Sequence, residues 1–250
     1  MEFMLLGPFE VVLDELVIGI GSARQKAVLA SLLLEANHVV TIDRLIAAIW
    51  DDSPPRTAKT QVQITISALR RLLGDDAIVT RPPGYLMEVP QQAVDLAHFE
   101  RLKAAGMAAA ADHRLEEAVR HLRAALSLWR GDAPEGVAGS AIAAVATRLN
   151  EHRISLLQDC IDLELRIGGN HELIGELSEL VAVHPLNERF RAQYMLSLYR
   201  AGRQVEALEA YRAGRRILQD EFGLDPGEEL SRLEYAILTR DPQILRKQPP

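Results

Sequence analysis

Cysteine is nearly missing from this chain: Cys160 is the single one in 250 residues. An intrachain disulfide is therefore impossible, and a reducing cytoplasm fits. No long hydrophobic run is present either. The longest late stretch, Ala141 to Ala146, is far too short to span a bilayer, which predicts no membrane partner. The first nine residues have no basic segment, and their apolar run stops at Gly7-Pro8, unlike a secretory signal. The seven histidines form no HExxH, and a lone cysteine removes most zinc spacings. There is no Walker sequence. Gly19-Ile20-Gly21 opens like a dinucleotide fingerprint, but Arg24 stands where the third glycine belongs. No Ser/His/Asp triad can be assembled. The residues thus predict no catalytic group, no cofactor and no metal site, and no enzymatic reading has a constellation behind it.

A basic balance is also lacking. Net charge is -7; residues 1–90 hold 8 Lys/Arg against 11 Asp/Glu, and residues 91–250 hold 20 against 24. Yet from Ser53 to Leu73 four bases (Arg56, Lys59, Arg70, Arg71) occur with no acid. Phosphate binding needs only a local basic face, because screening limits reach to about 8 Å at physiological salt.

What is present is ordinary globular material, 48% hydrophobic, at a length suited to two domains. Strand-like segments come first: Phe3 to Leu6, Phe9 to Leu13 and Leu16 to Ile20. A helix follows, with Ser22 and Gln25 at capping-box spacing, apolar positions through Leu34, and Asn37 as the expected C-cap. A second helix starts after Thr41 and carries Leu45, Ile46, Ile49 and Trp50. A third runs to Leu73 and is closed by Gly74; then Ala77 to Val89 reads as two short strands around Arg81-Pro82-Pro83-Gly84. Strands, three helices and a hairpin give the order of a winged helix.

Beyond about Val94 the chain reads as continuous helix: 97–111, 115–129, 141–167, 171–183, 187–201, 204–222 and 227–239. Gly169 to Ile174 and Gly202 to Ala207 share a pattern 33 residues apart, the spacing of tetratricopeptide-like (TPR-like) helix pairs. A generic helical bundle fits the same segments. Cys160 and Trp129 read as core residues, and Glu116-Glu117 and Glu228-Glu229 as first-turn charges.

The third helix carries the chemistry. At about 100° per residue, Ala58, Val62, Thr65, Ile66, Leu69, Leu72 and Leu73 fall on one stripe that should face the core. Thr60, Gln63, Ile64, Ser67, Arg70 and Arg71 face the other way. Those polar types read double-stranded DNA: Arg pairs bidentately with guanine, Gln with adenine, Ser and Thr with bases or phosphates. Ile64 is an apolar exception, suited to a thymine methyl or to covering a neighbouring helix. Arg56, Lys59 and Arg71 are candidate phosphate contacts, and Arg81 beside its Pro-Pro-Gly turn stands where a wing meets the backbone and minor groove.

Val62 to Arg71 followed by Gly84-Tyr85 resembles the recognition helix and wing of OmpR/PhoB-type domains. Leu5-Leu6-Gly7-Pro8, Arg24-Gln25-Lys26, Trp129-Arg130-Gly131-Asp132, His184 to Arg189, Tyr199 to Leu208 and Phe222 to Leu230 narrow the likeness. Together they resemble the Streptomyces antibiotic regulatory protein (SARP) family with its bacterial transcriptional activator domain. The resemblance implies an OmpR/PhoB-type DNA-binding domain over 1–91, a TPR-like activator domain over 92–245 and a disordered tail at 246–250. It adds Arg24, Lys26, Gly84 and Tyr85 to the DNA-binding set. It further implies an activator of a secondary-metabolite gene cluster, binding tandem direct repeats near the -35 region as a side-by-side homodimer. Such a protein recruits RNA polymerase holoenzyme through its principal sigma factor, in the cytoplasm and on the nucleoid. Ala68 departs from the arginine of many relatives, which removes a backbone contact there. No forkhead-associated or ATPase extension is seen, so no phosphopeptide or nucleotide input is expected. The rival is an interaction adaptor whose winged helix does not bind DNA. Arg70→Ala is expected to abolish specific binding and leave the fold intact.

Overall fold

The computed structural model describes residues 1–241, so the tail expected at 246–250 lies outside the described residues. Two compact units are present: 1–104 with 123–154, and 105–122 with the chain from Ser155 onward.

Unit 1 opens on an antiparallel meander of β1 (Glu2–Met4), β2 (Glu10–Leu13) and β3 (Leu16–Ile18). Then comes α1 (Ala23–Leu34). Its start is as expected: Gln25 N donates to Ser22 Oγ at 3.2 Å, and Ser22 N to Gln25 Oε1 at 3.1 Å. Its end differs. Glu35 is the C-cap, while Asn37 stands two residues on at φ 65. The Asn37 amide brackets Val89, donating to its carbonyl at 3.0 Å and accepting from its N–H at 3.1 Å. A residue expected to end a helix instead ties that helix's exit to the end of the later hairpin.

One strand escapes the period-2 reading. β4 (Val39–Thr41) is three β-branched residues, too short to alternate visibly, yet it pairs antiparallel with the hairpin. Thr41 then caps α2 (Ile42–Trp50), accepting from Arg44 N at 3.2 Å. α3 spans Ala58–Leu73 and ends at Gly74, whose φ of 105 suits glycine. β5 (Ile78–Arg81) and β6 (Gly84–Met87) form the hairpin, and the second sheet has the order β4-β6-β5. Val11, Leu29, Leu33, Leu45, Val62, Ile66, Leu69, Ile78 and Met87 share one core. The architecture is the expected winged helix of mixed α+β type followed by an all-helical part.

Unit 1 extends past residue 91 because the N-terminal strand is gripped by later chain. Asp95, at the start of α4 (Asp95–Ala111), accepts Leu5 N at 2.8 Å and Leu6 N at 2.9 Å. Arg130 N donates to Leu6 O at 2.8 Å, Glu135 N to Gly7 O at 2.9 Å and Phe9 N to Glu135 O at 3.0 Å. Gly7 has φ 138, and a Cβ there would lie 2.9 Å from the Arg130 Cβ. The Leu5-Leu6-Gly7-Pro8 and Trp129-Arg130-Gly131 motifs are thus two sides of one seam. Trp129 is buried in edge contact with Phe99, ring centroids 5.4 Å apart, as a core anchor should be. It lies beyond the end of α5 (Leu115–Leu126), in turns rather than in the expected helix.

α6 covers Ser140–Ile167. In unit 2, α7 (Asn170–Val183), α8 (Glu188–Arg200), α9 (Gln204–Phe222) and α10 (Glu228–Leu238) pack in succession. α7 and α9 start 34 residues apart, the period of TPR helix pairs. Arg191 is buried between α8 and α9, donating to Ala210 O at 3.0 Å and Pro185 O at 2.8 Å; a Cβ at Gly214 would meet its Nε at 2.2 Å. Gly214 therefore gives that arginine its room.

Burial raises the Asp95 carboxyl above the ordinary range, against the opposing pull of the Leu5 and Leu6 amides. Its proton-linked contribution is complete below the unfolded pKa of about 3.9 and is lost as pH rises through the folded value. The advantage of wild type over Asp95→Asn is therefore larger at pH 4 than at pH 7. Asp95→Ala leaves two buried amides without an acceptor and should cost about 2–4 kcal/mol in urea unfolding. An unchanged midpoint would show that the seam does not need this clamp.

Candidate nucleic-acid interface

The apolar stripe of α3 fixes what the helix shows to solvent. Ala58, Val62, Thr65, Ile66, Leu69 and Leu73 are buried. Leu72, expected among them, is 38% exposed. It sits about 80° from Val62 around the axis, at the edge of the stripe, whereas Leu73 in the same turn lies about 20° from Val62 and is buried. On the other side Lys59, Thr60, Gln63, Ile64, Ser67 and Arg71 are exposed, and Arg70 is half-buried. The polar face read from the sequence is open.

Within that face the side chains divide into engaged and available groups. Ser67 Oγ donates to Gln63 O at 3.0 Å, which keeps its oxygen as an acceptor toward solvent. Arg71 Nε leans back on Ser67 O at 3.4 Å. Arg70 is the most committed: Nε donates to Ile78 O at 2.8 Å and Nη2 to Thr80 Oγ1 at 2.9 Å. Its guanidinium also lies 5.9 Å from the Tyr85 ring centroid. Arg70 thus straps α3 to β5 and lies over β6. The sequence assigned it to guanine; the structure places its fork on the hairpin.

The other expected residues fall into two groups. Arg56, Lys59 and Arg81 are exposed, Arg56 before α3 and Arg81 at the end of β5. Arg24 is exposed at the first turn of α1 with its guanidinium 5.1 Å from the Trp50 ring, and Lys26 is half-buried. Gly84 and Tyr85, by contrast, are buried. A Cβ at Gly84 would lie 1.8 Å from Val40 O, so β4 and β6 close up only because this position is glycine. Tyr85 pairs with Val40 and Thr80 in the register of the sheet. These two build the wing from beneath. Thr80 was missing from the sequence reading; its signal is a hydroxyl four residues before Gly84 on a strand whose partner helix carries arginines in its last turn.

Between Ser53 and Leu73 the chain carries only positive charge. Arg56, Lys59, Arg71 and Arg81 are exposed, before α3, on it and at the end of β5, while Asp51, Asp52, Asp75 and Asp76 flank the α3 segment in the sequence. Asp51 faces elsewhere: it accepts Ser140 N at 2.9 Å and the Ser140 hydroxyl, and these bonds hold its carboxyl below the ordinary range. Gly139 makes the approach possible, since a Cβ there would lie 2.3 Å from Ala48 O.

A helix with an apolar stripe in the core, an open polar face and a hairpin strapped beside it define a winged-helix transcription regulator. The chain matches the family model "Transcriptional regulatory protein, C terminal" over residues 20–87 and "Bacterial transcriptional activator domain" over residues 94–238. It is 39% identical to regulatory protein AfsR of Streptomyces coelicolor over 98% of the chain and 25% of that relative. It is 36% identical to regulatory protein DnrI of Streptomyces peucetius over 100% of the chain and 96% of the relative. The solved structure of Mycobacterium tuberculosis EmbR in complex with a low-affinity phosphopeptide superposes with a TM-score of 0.89 at 35% identity. That match covers 96% of this chain and 65% of EmbR. The chain therefore belongs to the Streptomyces antibiotic regulatory protein family of transcriptional activators. It spans about a quarter of the length of the AfsR relatives. Among the described residues no helix is long and apolar enough to cross a membrane.

Because Arg70 bridges two elements, Arg70→Ala removes two hydrogen bonds and leaves the Ile78 carbonyl without this donor. Stability should fall by about 1–3 kcal/mol, with faster amide exchange in β5 and β6. Gln63→Ala, on the open face, should stay within about 0.5 kcal/mol of wild type. Equal stability of the two variants would remove the strap from the fold. The same measurement checks the expectation that Arg70→Ala leaves the fold intact.

Proposed function

We propose that the chain is a sequence-specific activator that inserts α3 into the major groove and lays the β5–β6 hairpin along the neighbouring backbone. The observation that carries this reading is the open face of Thr60, Gln63 and Ser67, with Arg56, Lys59, Arg71 and Arg81 also exposed on the same helix, before it and on the hairpin. Gln63 offers the donor and acceptor pair that matches adenine, and the bases around it supply phosphate contacts that hold register. Arg24, at the exposed first turn of α1, adds a further backbone contact, with Lys26 beside it. Arg70, Gly84 and Tyr85 act by shaping the helix and wing.

The domain assignment that goes with this reading is a DNA-binding part over 1–91 and an activator domain over 92–245. The operator is a pair of direct repeats near the -35 region, bound by two protomers side by side. The regulated genes are a secondary-metabolite cluster, and the helical domain recruits RNA polymerase through its principal sigma factor. The site of action is the cytoplasm, on the nucleoid. Relatives named as regulators, with DnrI matched over nearly its whole length, support the reading. The acidic balance of the remaining surface, net -7 overall, disfavours non-specific sliding.

The test is a gel shift and footprint on promoters next to the chain's own gene at several salt concentrations. If one protomer neutralises about six phosphates, log K should fall against log salt with a slope of about -5. Lys59→Ala should weaken all sequences alike and flatten that slope by about 1, whereas Gln63→Ala should lose about 1–3 kcal/mol of discrimination at one base pair. No retardation at low salt on any of these promoters would leave the winged helix as a protein-contact module.

A further inference from the structure

We propose that Ile64 is a specificity-determining residue, reading a thymine through its 5-methyl group in the major groove; the assignment rests on the DNA-binding reading above. Ile64 is 61% exposed in the middle of α3. It is not among the hydrophobic side chains packed against the unit 1 core, which include partly buried ones such as Ile42, Ile46 and Ile49. The bland role for an apolar residue here, covering a neighbouring helix, is therefore not the one the fold gives it.

Its neighbours complete the argument. Thr60 and Ser67 lie between Gln63 and Ile64 on an arc of about 100° around the helix axis, so all four face the same groove. The Ser67 hydroxyl is tied to Gln63 O, and Arg70 is turned away to Ile78 and Thr80. The face is thus two hydroxyls flanked on one side by the Gln63 amide and on the other by a branched alkyl group, Ile64. Of the groups base pairs present in the major groove, the thymine methyl alone is apolar, so it is the base feature a bare sec-butyl side chain can recognise. Gln63 and Ile64 together then favour an adenine and a thymine at adjacent contacts.

The experiment starts from duplexes enriched by the wild-type protein from a randomised pool. Each thymine in the enriched site is replaced singly by uracil, which deletes the methyl and leaves base pairing intact. Wild type should weaken about three- to fivefold at one position and little elsewhere, the worth of one buried methyl. Ile64→Ala should lose a similar factor on the thymine duplex and be indifferent to uracil at that position; Ile64→Val should keep most of the sensitivity. Exposure of the side chain means neither variant disturbs the core. Uniform tolerance of uracil by wild type, or an Ile64→Ala variant that retains the same sensitive position, overturns the assignment and leaves DNA binding standing. Failure of wild type to enrich any sequence overturns the DNA-binding reading and this one with it.

Discussion

Val62, Ile66 and Leu69 are buried in the core of unit 1, and in doing so they fix the rotation of α3 about its own axis. That rotation decides which side chains meet solvent. With the stripe inward, Thr60, Gln63, Ile64 and Ser67 have to point out, whatever their own preferences. Each buried aliphatic side chain contributes on the order of 1.5–3 kcal/mol, so turning the helix to hide its polar face would forfeit several of these at once. The open face is thus a consequence of packing.

The second constraint is the angle between helix and hairpin. A two-stranded hairpin alone is marginal in water, and here it gains a third strand from β4, a glycine that lets that strand approach, and the Arg70 strap. Helix and hairpin are consequently tied together, one unit that the proposed function would use to read DNA. Pre-ordering of this kind lowers the entropy lost when DNA is engaged. The segment between β1 and β2 is held in turn by Asp95 and by the 129–135 segment, so residues far along the chain steady the first sheet of unit 1.

Much of this was legible in the sequence. Periodicity and capping residues located α1, α2, α3 and every helix beyond Val94 to within a few residues, because a buried stripe leaves its mark at every turn. What stayed hidden depends on partners distant in the chain. Val39-Val40-Thr41 is too short to show alternation and becomes a strand only through β6. Asn37 looks like a helix cap, yet its amide is satisfied by Val89, 52 residues on. Arg70 has the chemistry of a guanine reader, and only the position of Ile78 and Thr80 shows that its fork is used internally. Leu72 lies at the edge of the stripe, where the core covers its neighbour Leu73 and not it. Family likeness pointed to Gly84 and Tyr85 without saying that they act from below the surface.

The most direct measurement of the central claim is photocross-linking from a reactive side chain placed at position 63 in the full chain bound to its operator. The claim predicts a cross-link to one base in the major groove of each repeat, while the same group at exposed position 212 on α9 gives none. Adducts from position 212 with none from position 63 would contradict it, because the polar face of α3 would then not be the surface that meets the duplex.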